Sequence, residues 1–273
     1  MGTMATGDRQ YVHGYAERES RRLFDQAATL TEILHADTGY PDGSAVLEAG
    51  CGVGAQTVVL AAKSPGARLV SMDVSARSLS AARMLAAARG LGNVAFVRAD
   101  IFDPPFAPGH FDHVFVCFVL EHLPDPVGAL VRLKAVLKPG GTVTVIEGDH
   151  GSTCFHPDSP EARRVVRCLV EIQAGFGGDG EIGRRLYPVL VEAGFRSVRV
   201  SPRMVYVDGS RPGLVDGFTR NTFIAMVEGV RDNALSLGLV DERGWEAGIA
   251  GLRRTTAPDG VFCYTFFKAI AIR

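Results

Sequence analysis

The sequence predicts an α/β fold in which a mostly parallel sheet carries helices on both faces. From residue 44 to about residue 150, short apolar runs that suit buried strands alternate with longer segments of helical periodicity. The chain ends in GVFCYTFFKAIAIR, a strand-like segment that needs a sheet to join. We therefore expect all 273 residues to form a single domain around one large core.

Residues 8–37 form the first predicted element, because apolar residues recur there at three- and four-residue steps between charges. Tyr11 and Tyr15 lie in this amphipathic segment. Two interpretations stay open. The helix either only covers the sheet, or it is a lid whose tyrosines line the mouth of a substrate pocket.

A glycine-rich turn follows the first predicted strand. Residues 44–60 read SAVLEAGCGVGAQTVVL, which is a strand, three glycines at alternate positions (Gly50, Gly52 and Gly54) and the start of a helix. Glycine lets the backbone approach a ligand closely, and the free N–H groups of a helix N-terminus point towards it. Asp73 ends the second predicted strand, where an acidic side chain can accept hydrogen bonds from two ribose hydroxyls. This pattern suits a dinucleotide and other adenosine ligands alike.

The remaining elements continue the alternation. Ser75 suits the N-cap of the helix that it begins, and PGG at 139–141 stops a later helix. Residues 212–256 are predicted to be mainly helical, and we expect them to form a cap over the sheet edge rather than a second domain. Further strands are predicted at 67–72, 93–98, 111–120, 142–147, 197–207 and from about residue 261, and helices at 75–90, 126–137, 160–174 and 182–193.

Composition and charge argue against several classes of function. The formal net charge is −1, which gives no electrostatic footprint for nucleic acid or for an anionic membrane. No apolar run approaches the roughly 18 residues that span a bilayer, and the first residues lack the features of a signal peptide. The five cysteines show no CxxC or cysteine–histidine ligand spacing, so they predict reduced thiols in the cytoplasm and no metal site.

Three motifs resemble the class I S-adenosylmethionine-dependent methyltransferases. EAGCGVG at 48–54 resembles the ExGxGxG signature of that family, the pair at 100–101 resembles its adenine-contacting residues, and LKPGG at 137–141 resembles its late turn. The segment 111–123 is similar to the fourth strand and following residues of the menaquinone- and ubiquinone-biosynthesis branch. The resemblance covers residues 44–150 closely and the last strands more loosely.

The resemblance implies a Rossmann-like sheet of seven strands, parallel except for an antiparallel last strand, with an N-terminal helix and a C-terminal helical cap. Residues 44–150 would be the cofactor-binding core, with S-adenosylmethionine as cofactor and S-adenosylhomocysteine as product. The glycines would face the methionine end, Asp73 the ribose, and Asp100 the adenine amino group. The whole cofactor-binding set that it implies is Gly50, Gly52, Gly54, Asp73, Val74, Asp100, Ile101 and Phe118. A nicotinamide-dependent dehydrogenase would need a catalytic Tyr/Lys pair or a histidine-bearing domain, and we expect neither.

Methyl transfer from a sulfonium is an in-line displacement whose leaving group is already activated. The protein mainly aligns the acceptor with the methyl group, and it needs a base only if the acceptor loses a proton. The resemblance therefore implies no fixed catalytic residue. His150, which has Gly148 and Gly151 as flexible neighbours, is the first candidate for a base or a substrate contact, and His122 is the second. Either histidine can instead be satisfied by its own surroundings.

Residues near the C-terminus favour a fairly apolar acceptor. Tyr206 and Tyr264 are expected to wall its pocket, and Arg203 either binds an anionic group or pairs with an acid. The predicted function is methylation of a small organic acceptor, such as a specialised metabolite, a quinone or a prenylated ring. The alternatives are methylation of protein or RNA, and binding of the cofactor without transfer. Exchange of the N-terminal helix between subunits would give a homo-oligomer, which the sequence leaves open.

Overall fold

Seven strands form one sheet in the computed structural model, which describes residues 29–273. They are β1 (Ala45–Ala49), β2 (Arg68–Asp73), β3 (Val94–Arg98), β4 (Phe111–Cys117), β5 (Leu137–His156), β6 (Arg196–Asp208) and β7 (Val261–Ile272). Their order is β3-β2-β1-β4-β5-β7-β6, and β7 runs antiparallel to both of its neighbours. The predicted seven-stranded sheet and its antiparallel last strand are confirmed. Tyr11 and Tyr15 lie outside the described residues.

Helices cover both faces of the sheet. The side chain of Ser75 accepts a hydrogen bond from the backbone N–H of Ser78, as expected for an N-cap. Within residues 29–273, no helix is long and apolar enough to cross a membrane. The helices are α1 (29–35), α2 (Ala55–Lys63), α3 (Ala76–Ala88), α4 (Pro126–Val136), α5 (Pro160–Gly175), α6 (Leu186–Glu192), α7 (Pro212–Leu214), a π-helical stretch (Val215–Ile224), α8 (Ala225–Glu228), α9 (Arg231–Ser236) and α10 (Glu242–Arg254).

Alternate residues of the central strands face two different cores. On β4, Val114 and Val116 belong to the core that contains α4 and α6. Phe115 and Cys117 belong to the core that contains α1, α2 and α5. Because both faces are covered, the central strands read as nearly continuous apolar runs rather than as alternating ones.

The helices from 212 to 254 pack on the face of β7, beside the edge strand β6, and their role as a cap over that edge stays a prediction. The rings of Phe218 and Phe223 contact Phe262 on β7, with centroids 6.1 and 4.8 Å apart. α10 packs closely on α5, because a Cβ on Gly248 would lie 2.5 Å from a methyl group of Val165. The cap therefore closes one of the two cores.

β4 is shorter than the sequence predicts. It ends at Cys117 because Phe118 has φ +57°, in the left-handed region, and a strand cannot continue through that conformation. A 3₁₀ turn at Leu120–His122 follows. The predicted helix at 182–193 likewise begins as a 3₁₀ turn, at Ile182–Arg185, before α6.

A buried lysine ties the end of α1 to the sheet. Lys268 on β7 is 2% exposed, and its ammonium donates to Asp37 Oδ1 and to Thr38 Oγ1, each at 2.6 Å. Arg203 on β6 donates to the other carboxylate oxygen of Asp37. Burial alone would raise the pKa of Asp37, but hydrogen bonds from Lys268 and Arg203 lower this pKa to about 2. Of the two interpretations of Arg203, the structure shows the pairing with an acid.

Replacing Asp37 should cost more stability than replacing Lys268. Asp37→Asn leaves a buried ammonium without its carboxylate, which should cost about 2–3 kcal/mol, at the low end for a broken buried pair because the carboxylate is half exposed. Lys268→Met removes the charge and keeps apolar volume, so the loss should be smaller by about 1 kcal/mol or more. Urea unfolding measures both. A Lys268→Met protein that is the less stable of the two contradicts this account of the ion cluster.

Candidate functional site

The turn between β1 and α2 lies at the carboxyl edge of the parallel strands. β1 pairs with β2 on one side and with β4 on the other. The order in which strands are added to the sheet therefore reverses at β1. Such a switch point opens a crevice at the strand ends, where ligands bind in open α/β sheets. The backbone N–H groups of Gly50 and Cys51 both donate to Met72 O, which anchors the turn on β2.

The three glycines of the turn have different surroundings. A Cβ on Gly50 would lie 2.5 Å from a methyl group of Val119, and a Cβ on Gly54 would lie 2.9 Å from Ala82 Cβ on α3. A Cβ on Gly52 would meet no atom of the described residues within 4 Å. Gly54 therefore allows α2 to pack on α3, and its expected place at the methionine end of a cofactor stays a prediction. Gly52 is the glycine that opens onto the crevice.

Asp73 binds the turn through both carboxylate oxygens. Oδ2 accepts from the backbone N–H of Gly52 and Oδ1 from that of Ser75, each at 2.8 Å. Burial raises the pKa of Asp73. Each oxygen has a second lone pair, so the carboxylate can still accept hydrogen bonds from a ribose. The structure thus shows that Asp73 holds the turn in place, in addition to the ribose contact that is predicted for it.

The other residues expected to contact adenosine lie on neighbouring strand ends. β2 and β3 pair in parallel with Asp73 opposite Arg98, so Asp100, two residues further on, lies at the same edge. Val74 is 45% exposed, which leaves an apolar surface open beside Asp73. Ile101 is buried in the core below, and Asp100 Oδ1 accepts from the backbone N–H of Phe102 at 3.0 Å.

Glu48 lies beneath the turn rather than in the crevice. It is 2% exposed, and its Oε2 accepts from the hydroxyls of Thr57 and Ser71, each at 2.6 Å. Burial raises the pKa of Glu48 to about 7. This carboxyl therefore ties β1 to α2 and to β2.

His150 lies in the β5 strand and is 3% exposed. Its Nδ1 is 2.8 Å from the Tyr264 hydroxyl, and its Nε2 is 3.6 Å from Glu121 Oε2. The side-chain amide of Gln173 donates to the same Glu121 oxygen at 3.2 Å. The imidazole therefore lies between a tyrosine hydroxyl and a carboxylate.

The glycines beside His150 make room for neighbouring side chains, and the flexibility expected of them stays a prediction. A Cβ on Gly148 would lie 2.3 Å from the Tyr264 hydroxyl oxygen. One on Gly151 would overlap the carboxylate of Glu181. The backbone on both sides of His150 is thus closely packed, in addition to the contacts that its imidazole makes.

The remaining predicted site residues lie in three different places. His122 Nε2 is 3.5 Å from Glu121 Oε1, so His122 and His150 flank one carboxylate. Tyr206 is 41% exposed and pairs with Cys263, whose side chain alternates with that of Tyr264 along β7. Tyr206 therefore lies on the sheet face away from Tyr264 and His150. Arg203 lies at the Asp37 cluster.

A Tyr/Lys pair at YxxxK spacing does occur, at Tyr264 and Lys268, contrary to the expectation. The tyrosine contacts His150, whereas the ammonium of Lys268 contacts Asp37 and Thr38. The two side chains therefore have separate partners and form no catalytic pair.

Sequence reasoning missed two buried carboxyls near His150. Glu121 contacts both histidines, and Glu147 accepts hydrogen bonds from backbone N–H groups after β4. Each comes directly after an apolar run in the sequence, which is the signal that could have identified them. Among the described residues, no cluster of three or more His, Cys, Asp or Glu residues is arranged to hold a metal ion.

Comparisons with known proteins agree with this geometry. Residues 47–145 match the family described as a methyltransferase domain. Methyltransferase str2 of Strobilurus tenacellus is 26% identical, over 88% of this chain and 86% of that protein. A demethylmenaquinone methyltransferase of Staphylococcus aureus is 32% identical, over 45% of this chain and 51% of that protein. An uncharacterised protein of transposon TN4556 in Streptomyces fradiae is 33% identical, over 75% of this chain and 59% of that protein.

Solved structures share the fold. A phosphoethanolamine N-methyltransferase of Haemonchus contortus, in complex with S-adenosylhomocysteine, superposes with a TM-score of 0.55. It is 17% identical, and the match covers 91% of this chain and 53% of that one. At that identity the likeness shows the fold alone.

Residues 47–145 match a methyltransferase domain, and the family match, the relatives and the fold together support a class I S-adenosylmethionine-dependent methyltransferase. The similarity to demethylmenaquinone methyltransferase supports a position near the menaquinone- and ubiquinone-biosynthesis branch. It spans about half of that relative and 59% of the Streptomyces protein.

The described residues fit S-adenosylmethionine, the cofactor of this class. The side of Gly52 that faces the crevice is open, so the turn can accept a close ligand. Asp73 offers carboxylate lone pairs to ribose hydroxyls, and Val74 offers an exposed apolar surface to a purine.

Alanine substitutions at Gly52 and Gly54 should separate binding from stability. Gly54→Ala places a Cβ against α3 at positive φ and should lower the free energy of unfolding by about 2–4 kcal/mol. Gly52→Ala meets no such clash, so it should cost only about 1–2 kcal/mol while weakening S-adenosylmethionine binding. Urea unfolding and calorimetry measure the two effects. Equal stability losses, or wild-type affinity in Gly52→Ala, contradict the assignment.

Proposed function

We propose that this protein transfers the methyl group of S-adenosylmethionine to a small, fairly apolar organic acceptor. The observation that carries the proposal is the continuity between the glycine crevice and a row of aromatic side chains. The Phe118 ring, just beyond β4, lies 5.4 Å from that of Phe266, which lies 4.6 Å from that of Tyr264. This row leads from the crevice to His150.

The bound cofactor would supply an electrophilic methyl group on a sulfonium. Gly52 would face its methionine end, with Gly50 shaping the turn below. Asp73 would accept hydrogen bonds from the ribose and Asp100 one from the adenine amino group. Val74 and Ile101 would pack against the adenine ring, and the backbone at Phe118 would lie beneath the methionine. Gly54 would complete the turn at the methionine end, and it also allows α2 to pack on α3.

The protein's own part in the reaction is alignment and exclusion of water. Proximity and orientation supply roughly 7–11 kcal/mol in well-organised cases, which is enough for an acceptor that attacks as a neutral nucleophile. An acceptor that must lose a proton needs a base as well, worth on the order of 10²–10⁴-fold in rate. His150 is the group we assign to that proton, with Glu121 stabilising the imidazolium that forms. His122, on the other side of Glu121, is the second candidate.

The acceptor class that fits best is an apolar ring compound. The aromatic row favours apolar contact, and one relative is named for a demethylmenaquinone, which carries a quinone ring. A quinone, a prenylated ring or a specialised metabolite of similar character meets the same requirement. The formal net charge of −1 disfavours RNA and acidic polymers as acceptors. The proposed compartment is the cytoplasm, because the spacing of the cysteines predicts reduced thiols.

A labelling experiment tests the proposal. The protein is incubated with methyl-labelled S-adenosylmethionine and a fractionated cell extract, and label is followed by mass spectrometry. Label should enter small apolar compounds, with stoichiometric release of S-adenosylhomocysteine. Label found only in protein or RNA fractions overturns the acceptor class, and a protein that binds S-adenosylmethionine without any transfer overturns the catalytic assignment. Absence of binding in calorimetry overturns both.

Two tyrosine variants provide a matched comparison in the same assay. Tyr264→Phe removes the hydroxyl that contacts His150, so turnover should fall by about tenfold for an acceptor that loses a proton. Tyr206→Phe removes a hydroxyl on the opposite sheet face and should leave turnover unchanged. Equal effects of the two substitutions would remove the Tyr264–His150 pair from the chemistry.

A further inference from the structure

Glu147 is a fully buried carboxyl in the middle of β5, one residue beyond the last residue of β5 that pairs with β4, and it has no role in the proposed cofactor contacts. Its side chain is 0% exposed. Oε1 accepts hydrogen bonds from the backbone N–H groups of Val119 at 3.0 Å and Leu120 at 2.8 Å. Oε2 has no hydrogen-bond partner among the described residues.

The segment that Glu147 holds is the strained one after β4. Phe118 has φ +57°, a conformation that persists only where surrounding contacts determine it. Its N–H donates to Ile146 O at 2.9 Å. Two consecutive residues of β5 therefore bind three consecutive N–H groups, from residues 118 to 120. This contact fixes both the direction in which the chain leaves β4 and the place of the Phe118 ring.

The same segment supports the glycine turn. The Val119 side chain lies against Gly50 so closely that a Cβ on Gly50 would be 2.5 Å from Val119 Cγ2 and 3.0 Å from Cγ1. Protein interiors are packed too densely to absorb a shift of this backbone without moving its neighbour. If Val119 moves, the glycine turn at Gly50 must therefore move with it.

The surroundings of the Glu147 side chain favour its neutral, protonated form. Burial, and then the neighbouring charge of Glu121, raise the pKa of Glu147 well above its usual range. Glutamine has the shape of a neutral carboxylic acid and keeps a carbonyl oxygen that accepts from both N–H groups. Leucine has a similar volume and no acceptor.

We propose that Glu147 is a positioning residue: it fixes the segment after β4, and through Val119 it sets the cofactor turn at Gly50. This inference deepens the proposed function and rests on it for the identity of the ligand. It assigns to Glu147 neither contact with the cofactor nor transfer of a proton. The predicted consequence is that a neutral acceptor at residue 147 is sufficient.

The test compares Glu147→Gln with Glu147→Leu in the full chain. Calorimetry with S-adenosylhomocysteine should give the Gln variant an affinity within about threefold of wild type, and the Leu variant a loss of at least about tenfold, as expected for two buried N–H groups without an acceptor. Steady-state kinetics should show kcat restored by Gln but not by Leu. Equal affinities in all three proteins, or equal losses in both variants, overturn the proposal.

Hydrogen exchange provides a second readout that needs no ligand. The amides of Val119 and Leu120 should exchange slowly in wild type and in Glu147→Gln, and at least about tenfold faster in Glu147→Leu, while those of β4 stay protected. Unchanged protection in Glu147→Leu overturns the positioning role. If wild type binds no cofactor, the proposed function fails, whereas the exchange result still decides the positioning of this segment.

A third variant covers the case in which Glu147→Leu does not fold. Val119→Ala leaves the Glu147 contacts in place and removes the methyl groups that lie against Gly50. It should weaken S-adenosylhomocysteine binding by about threefold or more, because the turn loses its support. Wild-type affinity in Val119→Ala breaks the proposed link between the segment and the turn, and overturns the inference.

Discussion

The close packing of Gly50 on Val119 is the contact on which the rest of the site depends. It joins the end of β1 to the segment after β4. β1 and β4 are neighbouring parallel strands, and the order of strands in the sheet reverses between them. The crevice exists because these strand ends are neighbours. Its shape is set by how closely the two segments approach, which requires a glycine on one side and a branched side chain on the other.

Buried polar groups hold this arrangement from below. Glu48 binds hydroxyls of α2 and β2, Asp73 binds the turn itself, and Glu147 binds the segment after β4. A buried carboxyl is costly unless it is hydrogen-bonded, so each one specifies a single backbone arrangement. The functional consequence is a crevice prepared before any ligand arrives, which reduces the ordering cost of binding. His150 and Glu121 extend the same principle to the proposed acceptor site.

The sequence was informative where a local pattern determines the structure. Strand and helix periodicity, the Ser75 cap and the glycine turn are each specified by neighbouring residues, and the structure confirms them. It was uninformative where a partner lies far along the chain. Arg203 meets Asp37 across 166 positions, and Gly54 meets Ala82 on another helix. The strained Phe118 shortened β4 for the same reason, since its supports lie on β5.

The most direct test of this account is amide NMR of the protein during titration with S-adenosylhomocysteine. The account predicts that the largest shift changes fall at Gly52, at Asp73 and Val74, and at Asp100 and Ile101, with smaller changes from Phe118 to Leu120. Residues of the opposite sheet face, such as Tyr206, should not respond. Saturable changes centred on Tyr206 or on the Asp37–Lys268 cluster, with none at the glycine turn, would contradict it.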